Sequence, residues 1–335
     1  MIEQPYLLFL GDVPDALAAK TAYGVVDWRR EQCVGQMRLE GCQADTGLPD
    51  MSIEDAVQAG AKTMIVGAVN AGGRLPELWV ASIVEAIEAG MHVASGLHVR
   101  LGSFDAIREA AERHDAHLHD VRHADRRFET GKGAPRSGLR LLTVGTDCSV
   151  GKKYTALALE KALRERGVDA DFRATGQTGI LIAGGGVPID AVVADFISGA
   201  VESISPEADP AHWDIVEGQG SVFHPSFAGV SLGLLHGAQP DAFIVCHEPT
   251  RKTMRGVHTP LPSIDDVIEA TVRHGRLTNP QIRPVGLSVN TAALGKDEAK
   301  NLLQDYWKTY GLPAVDPVRF GIAEIADHIV SRFRL

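Results

Sequence analysis

The sequence predicts an α/β protein with two domains in series, each a mostly parallel sheet covered by helices. Three observations carry this. Short apolar runs that end in glycine or small residues alternate with amphipathic stretches along most of the chain. A glycine loop, GTDCSVGKKYTA at residues 145–156, joins an apolar run to a helical one near the middle. The chain has 335 residues, 44% of them hydrophobic, enough to bury two cores.

In the first domain, residues 1–123, YLLFLGDV (6–13) and KTMIVGAV (62–69) read as buried parallel strands. SIEDAVQAGA (52–61) and LPELWVASIVEAIEAG (75–90) carry helical periodicity. Ser52 offers an N-cap with Asp55 in the first turn, and Gly60 and Gly90 close the two helices. MHVASGL (91–97), a helix from Asp105 to His114 and the strand-like AHLHDVR (116–122) complete a βαβα series. That is the pattern of a doubly wound, Rossmann-like domain. Residues 124–140, ADRRFETGKGAPRSGLR, lose periodicity and gather Arg, Gly, Pro and Lys, as an inter-domain linker does.

The second domain, residues 141–335, opens with the strand LRLLTV, then the glycine loop, then the helix ALALEKALRERG ending at Gly167. Strands are expected at ADFRATG (170–176), WDIVEG (213–218), AFIVCHE (242–248) and IRPVGLSVN (282–290), with helices at 263–275 and 297–311. Strand, glycine loop and helix together make this a P-loop NTPase-like parallel α/β domain. Backbone N–H groups of such a loop point at phosphates while a lysine adds a point charge. The predicted cradle is Gly145, Thr146, Asp147, Cys148, Ser149, Val150, Gly151, Lys152 and Lys153.

Lys153 breaks the usual rule. That position ordinarily carries a Ser or Thr whose hydroxyl holds Mg²⁺. An ammonium there removes a ligand and repels the cation, while Lys152 and Lys153 neutralise phosphates directly. Thr155, two residues further on, is the alternative hydroxyl for the metal. The loop thus reads as built to bind phosphates rather than cleave them, which favours coenzyme A over ATP. Its spacing resembles the GTDTGVGKT variant of dethiobiotin synthetase and cobyrinic acid amidase relatives. That resemblance makes Glu217, in WDIVEGQGS, a ligand of metal or substrate. It also makes Asn290, in GLSVNTAAL, a reader of adenine, since one amide both donates and accepts.

A wider resemblance covers nearly the whole chain. KTAYGVVDWR (20–29), NAGGRLPELW (70–79), SGLHVRL (95–101), the loop, ATGQTGILIAGGG (174–186), EGQGSVFHPSFAGVS (217–231) and CHEPTRKTMRG (246–256) carry it. These blocks resemble a two-domain bacterial and archaeal family, long a domain of unknown function, whose characterised members are D-glutamate N-acetyltransferases. The resemblance implies acetyl-CoA as co-substrate, a small acidic amino acid as acceptor, and a pathway link to a dipeptide-epimerase-like enzyme. Such a reaction needs a base for the substrate ammonium and donors for two carboxylates. Glu217 and His224 are the leading base candidates, and His247 with Glu248 come second, at a strand end. Arg251, Lys252 and Arg255 hold carboxylates or a coenzyme phosphate, or else form a solvated basic turn. Thr175, Gln177, Thr178 and Ser221 line the substrate or make tight turns. Lys20, Thr21, Arg29, Asn70, Gly72, Gly73 and His98 are the first domain's contributions to the family-like blocks. The runner-up reading is an ATP- and Mg²⁺-dependent ligase of the dethiobiotin synthetase type; a third is a nucleotide-sensing regulator.

A net charge of −10 without a basic block argues against nucleic acid as a partner. Four cysteines without paired spacing fit a reducing cytoplasm. The first residues are too short and acidic for a signal peptide, and no apolar run approaches ~20 residues, so no membrane partner is expected. A homodimer is expected from the commonest enzyme state. HDAHLHDVRH gathers His114, His117, His119 and His123 with Asp115 and Asp120, yet its spacing crosses a helix-to-strand boundary and yields no ligand set. No metal is expected. Cys148 is read as a loop side chain rather than an acyl-accepting nucleophile.

Overall fold

A computed structural model describes residues 1–16, 18–68, 75–124 and 127–333. The chain divides into two compact units. Met1–Asp125 with Gly176–Ala191 forms the first, and Arg126–Thr175 with Val192–Leu335 forms the second.

The first unit runs β1 (Tyr6–Gly11), α1 (Lys20–Arg29), β2 (Cys33–Arg38), α2 (Ile53–Gln58), β3 (Thr63–Val66), α3 (Glu77–Glu88), β4 (His92–Ser95), α4 (Asp105–His114) and β5 (Leu118–Asp120). All of its pairings are parallel, in the order β2-β1-β3-β4-β5, the doubly wound arrangement expected. Every residue of β1 and β3 is buried, as strands covered on both faces must be. Ser52 caps α2 through a reciprocal pair with Asp55, as its position suggested. Strand β2 was not foreseen. CVGQMR is half-buried and lacks both an apolar run and a clean alternation.

The second unit runs β6 (Leu139–Gly145), α5 (Lys152–Arg164), β7 (Ala170–Arg173), α7 (Ile197–Ile204), β8 (Trp213–Val216), α8 (Ala228–Ala238), β9 (Ala242–His247), α9 (Ile264–Gly275), β10 (Arg283–Val289), α10 (Lys296–Tyr310), β11 (Ala314–Val315) and α11 (Ala323–Phe333). The intervening α6 (Gln177–Ala183) belongs to the first unit. The sheet is parallel throughout, ordered β11-β10-β9-β6-β8-β7. Strand β6 therefore delivers the glycine loop between the C-terminal ends of β8 and β9.

The domain boundaries differ from expectation at two places. Gly176–Ala191 clusters with the first unit rather than the second, and TGQTGILIA forms a helix rather than a turn. The stretch read as a linker is bolted down from residue 127 onward. The backbone N–H groups of Lys132 and Gly133 donate to the Glu202 carboxylate at 2.9–3.1 Å. The Arg136 guanidinium reaches the carbonyls of Glu202, Ser205 and Gly237, at the C-terminal ends of α7 and α8. A cation over two helix C-termini satisfies their orphan carbonyls and their dipoles together. Among the described residues, no helix is long and apolar enough to cross a membrane.

Candidate active site

The loop leaves β6 at Gly145 and turns through Ser149 and Gly151, whose φ angles of +54° and +104° lie in the left-handed region. Helix α5 begins at Lys152, so its N-terminal dipole points back into the loop. Lys152 is buried, and its ammonium donates to the Asp147 carbonyl at 2.7 Å. Burial lowers its pKa, opposed by Cys246, Cys148, Asp147 and Glu217. Lys153 is half-buried, with its ammonium 4.9 Å from the centre of the Tyr154 ring.

Thr155 does not replace the missing metal ligand. Its hydroxyl donates to the Gly151 carbonyl at 3.0 Å and shares a hydrogen bond with Ser288 at 2.7 Å. Both sit inside the sheet–helix core, where Cys246 also approaches at 3.5 Å.

Asp147 is the hub of the loop. It is fully buried; one oxygen accepts the Cys148 N–H at 2.6 Å, the other the Arg251 guanidinium at 2.5 Å and the Arg255 N–H at 2.8 Å. Burial alone would raise its pKa, but these hydrogen bonds outweigh it and hold the carboxyl below the usual range. Arg251 also donates to the Cys148 carbonyl at 2.7 Å, and Arg255 to the Ser149 hydroxyl at 2.6 Å. Arg251 and Arg255, which the sequence assigns to carboxylates, to a coenzyme phosphate or to a solvated basic turn, both bond to the loop itself. Arg255 remains exposed and still faces solvent.

Atoms of Asp147, Cys148 and His224 lie within 4.8 Å of one another, a grouping that resembles a metal site. The hydrogen bonds speak for a different role. His224 accepts the Ser226 N–H on Nδ1 at 3.2 Å, which leaves the proton on Nε2, and Nε2 donates to the Arg255 carbonyl at 3.0 Å. Both nitrogens are thus occupied: Nδ1 braces the 221–227 turn internally, and Nε2 ties that turn to the 251–258 loop. Burial pushes the Cys148 thiol up despite the nearby Lys152, so it stays protonated at neutral pH.

Glu217 and His247 flank the loop from opposite sides, because β8 and β9 are the two neighbours of β6. Glu217 is buried, and its Oε2 accepts the Thr175 N–H at 3.0 Å. The Thr175 hydroxyl donates to the Glu217 carbonyl at 2.6 Å and accepts from Gln219 at 3.1 Å. Thr175 therefore fastens the end of β7 to the end of β8. Gly218 follows because nothing larger fits: an added Cβ would lie 1.6 Å from the Thr143 carbonyl oxygen. Its N–H donates to the Thr143 hydroxyl at 2.9 Å. Ser221 accepts the Phe223 N–H at 3.3 Å and shapes the next turn.

On the other side, His247 shares a hydrogen bond between Nδ1 and the Thr146 hydroxyl at 3.1 Å. Burial pushes its pKa down to about 4, with Glu248 opposing. The unfolded chain, with His near 6.5, binds the extra proton between those values. Stability carried by neutral His247 is thus complete above about pH 6.5 and falls as pH drops toward about 4, by about 3 kcal/mol in all. Replacing His247 by Gln is expected to flatten this part of the acid limb, read as denaturation midpoints between about pH 7 and about pH 5. An unchanged slope would place the imidazole in a wetter setting than this one.

Asn290 closes the row of strand ends. Its N–H donates to the His247 carbonyl at 2.8 Å and its Oδ1 accepts the Ala292 N–H at 3.1 Å. Gln177 and Thr178 start α6 in the first unit, where Gln177 packs against Gly96. In α1, Lys20 is exposed, Thr21 is buried, and Arg29 donates to the Trp28 carbonyl; His98 is exposed. Asn70, Gly72 and Gly73 lie outside the described residues. Sequence reasoning missed Thr143 and the Thr146–His247 pair, whose partners are 75 and 101 residues apart.

Comparison with known proteins bears on this site. A protein of Pseudoalteromonas sp. named D-glutamate N-acetyltransferase is 52% identical over 329 residues, 98% of this chain and 99% of its own length. One of the same name from Tritonibacter scottomollicae is 48% identical over 332 residues, 99% of this chain and 100% of its own. The crystal structure of a DUF1611 family protein from Anabaena variabilis matches with a TM-score of 0.81 at 28% identity, over 98% of this chain and 99% of that one. Residues 34–124 match the Rossmann-like domain of the family and residues 127–326 its P-loop domain, both described as domains of unknown function. With both halves matched and the loop where the fold requires it, this chain belongs to the DUF1611 family.

Proposed function

We propose that this chain is an acetyl-CoA-dependent N-acetyltransferase that converts D-glutamate to N-acetyl-D-glutamate in the cytoplasm. The observation that carries the reading is the likeness, at 52% and 48% identity over essentially the whole chain, to two proteins named for that activity. The loop supports the choice of co-substrate. It offers a helix N-terminus and two lysines to phosphates, and neither position 153 nor Thr155 offers a hydroxyl to Mg²⁺. Four free cysteines support a reducing compartment.

In this reading Lys152 and Lys153 take the coenzyme's diphosphate, and Glu217 takes the proton that the substrate ammonium must lose. The neutral amine attacks the thioester carbon, the carbon–sulfur bond breaks, and the thiol leaves with a proton. His247 and Asp147 keep the loop in shape through Thr146 and the arginines. The ligase reading has one observation in its favour, a buried acidic residue at the β8 end facing a P-loop, and it requires Mg²⁺·ATP.

The deciding assay mixes the protein with acetyl-CoA and D-glutamate and follows thiol release with mass detection of the product. L-glutamate, D-aspartate and Mg²⁺·ATP serve as comparators. Turnover that requires Mg²⁺·ATP and ignores acetyl-CoA would overturn the proposal. Lys153→Thr is expected to weaken acetyl-CoA binding about tenfold, the worth of one charge-assisted contact. Calorimetry that finds the affinity unchanged would remove Lys153 from the phosphate site.

A further inference from the structure

The first unit holds a cluster of histidines that the P-loop chemistry does not use. Strands β4 and β5 pair in parallel with Val93 opposite Leu118 and Ala94 opposite His119. Continued by one residue, that register sets His92 beside His117. Side chains two apart on a strand share a face, and so do paired residues across a ladder. His92, His117 and His119 therefore share one face at the edge of the sheet. Their ring centroids lie 4.9, 6.0 and 6.4 Å apart. Three imidazoles on one tetrahedral ion, with metal–nitrogen bonds near 2.0–2.1 Å, would have centroids roughly 5 Å apart.

We propose that His92, His117 and His119 form a binding site for a divalent first-row transition metal ion, Zn²⁺ foremost, that clips β5 to β4. A second observation points to a ligand. Nε2 of His119 is buried and has no hydrogen-bond partner among the described residues. A buried imidazole nitrogen ordinarily finds a donor or acceptor, and a cation would satisfy it. His117 is exposed and its ring can turn to the ion. His117 and His119 are the first two ligands. Nδ1 of His92 accepts the His117 N–H at 3.1 Å, so His92 joins by a half-turn of its ring that gives up this bond. Strand β5 has three residues and ends the sheet, where a metal clip adds what a short ladder cannot.

The test is calorimetric titration of the untagged full chain with Zn²⁺ alone. Saturable binding of one ion is expected, weakened at least tenfold by His117→Ala and by His119→Ala. His114→Ala, exposed on α4, and Cys148→Ser in the loop are expected to leave it unchanged. His117→Ala alters an exposed side chain, so loss of binding there does not stem from unfolding. Absence of saturable binding would overturn the proposal, as would equal affinity in the His117 and His119 variants. Loss confined to Cys148→Ser would overturn it as well and assign the ion to Asp147, Cys148 and His224.

Discussion

Replacing Glu217 by Gln is expected to lower kcat by about 10²–10⁴ while leaving the KM for acetyl-CoA within about twofold. The amide is isosteric with the carboxylate and its oxygen still accepts the Thr175 N–H, so the β7–β8 junction survives. What disappears is an acceptor for the ammonium proton, a loss realised only in the reacting complex. Initial rates at saturating acetyl-CoA would measure it. Near-normal kcat in this variant would move the base to His247. That imidazole is held neutral by burial, though a basicity near 4 makes it a weak acceptor at neutral pH. His224 is expected to behave differently. Since both of its nitrogens bind backbone, His224→Asn should lower thermal stability before it changes the pH profile of kcat.

Much of this fold was legible because its signals are local. Apolar runs such as YLLFLG and AFIVCH can bury themselves only between two layers of helices, and a strand leading into glycines and a helix is a short-range pattern. The misplacements share a cause. Strand β2 is half-buried, and α6 opens with polar residues and glycine, so neither carries a strong period. The residues after 126 have a linker's composition, but Arg136 and the Glu202 carboxylate pin them to two helix ends, and composition does not report such contacts.

The chemistry of the site divides the same way. The loop, Glu217 and His247 were legible because each ends a strand. The partners of these residues were not, because they meet across the sheet and far apart in sequence. Asp147 and Arg251 are 104 residues apart and form the closest ion pair at the loop. From sequence, three cations in five residues leave a carboxylate, a coenzyme phosphate and solvent all open as partners; in the fold, Arg251 turns inward to the loop.

That difference makes Arg251→Ala the most informative change in the second unit. Arg251 supplies the guanidinium on Asp147 and the donors to the Cys148 and Ser149 carbonyls. Without it a fully buried carboxylate keeps only two backbone N–H groups, from Cys148 and Arg255. Breaking a buried pair by removing one partner costs about 3–5 kcal/mol; with the Arg251 side chain 21% exposed, about 2–4 kcal/mol is expected here. The loop would loosen, and the KM for acetyl-CoA should rise about 10- to 100-fold, while the KM for D-glutamate changes far less. A substrate-carboxylate role predicts the reverse: a raised KM for the amino acid with the acetyl-CoA value and thermal stability intact. Asp147→Asn supplies the matching test. It removes the buried charge along with its pair, so its destabilisation should be smaller than that of Arg251→Ala, and in the double variant the two losses should fall well short of their sum. Additive losses would mean that the two side chains hold the loop independently, and the phosphate cradle would then owe its shape to the backbone turns at Ser149 and Gly151 alone.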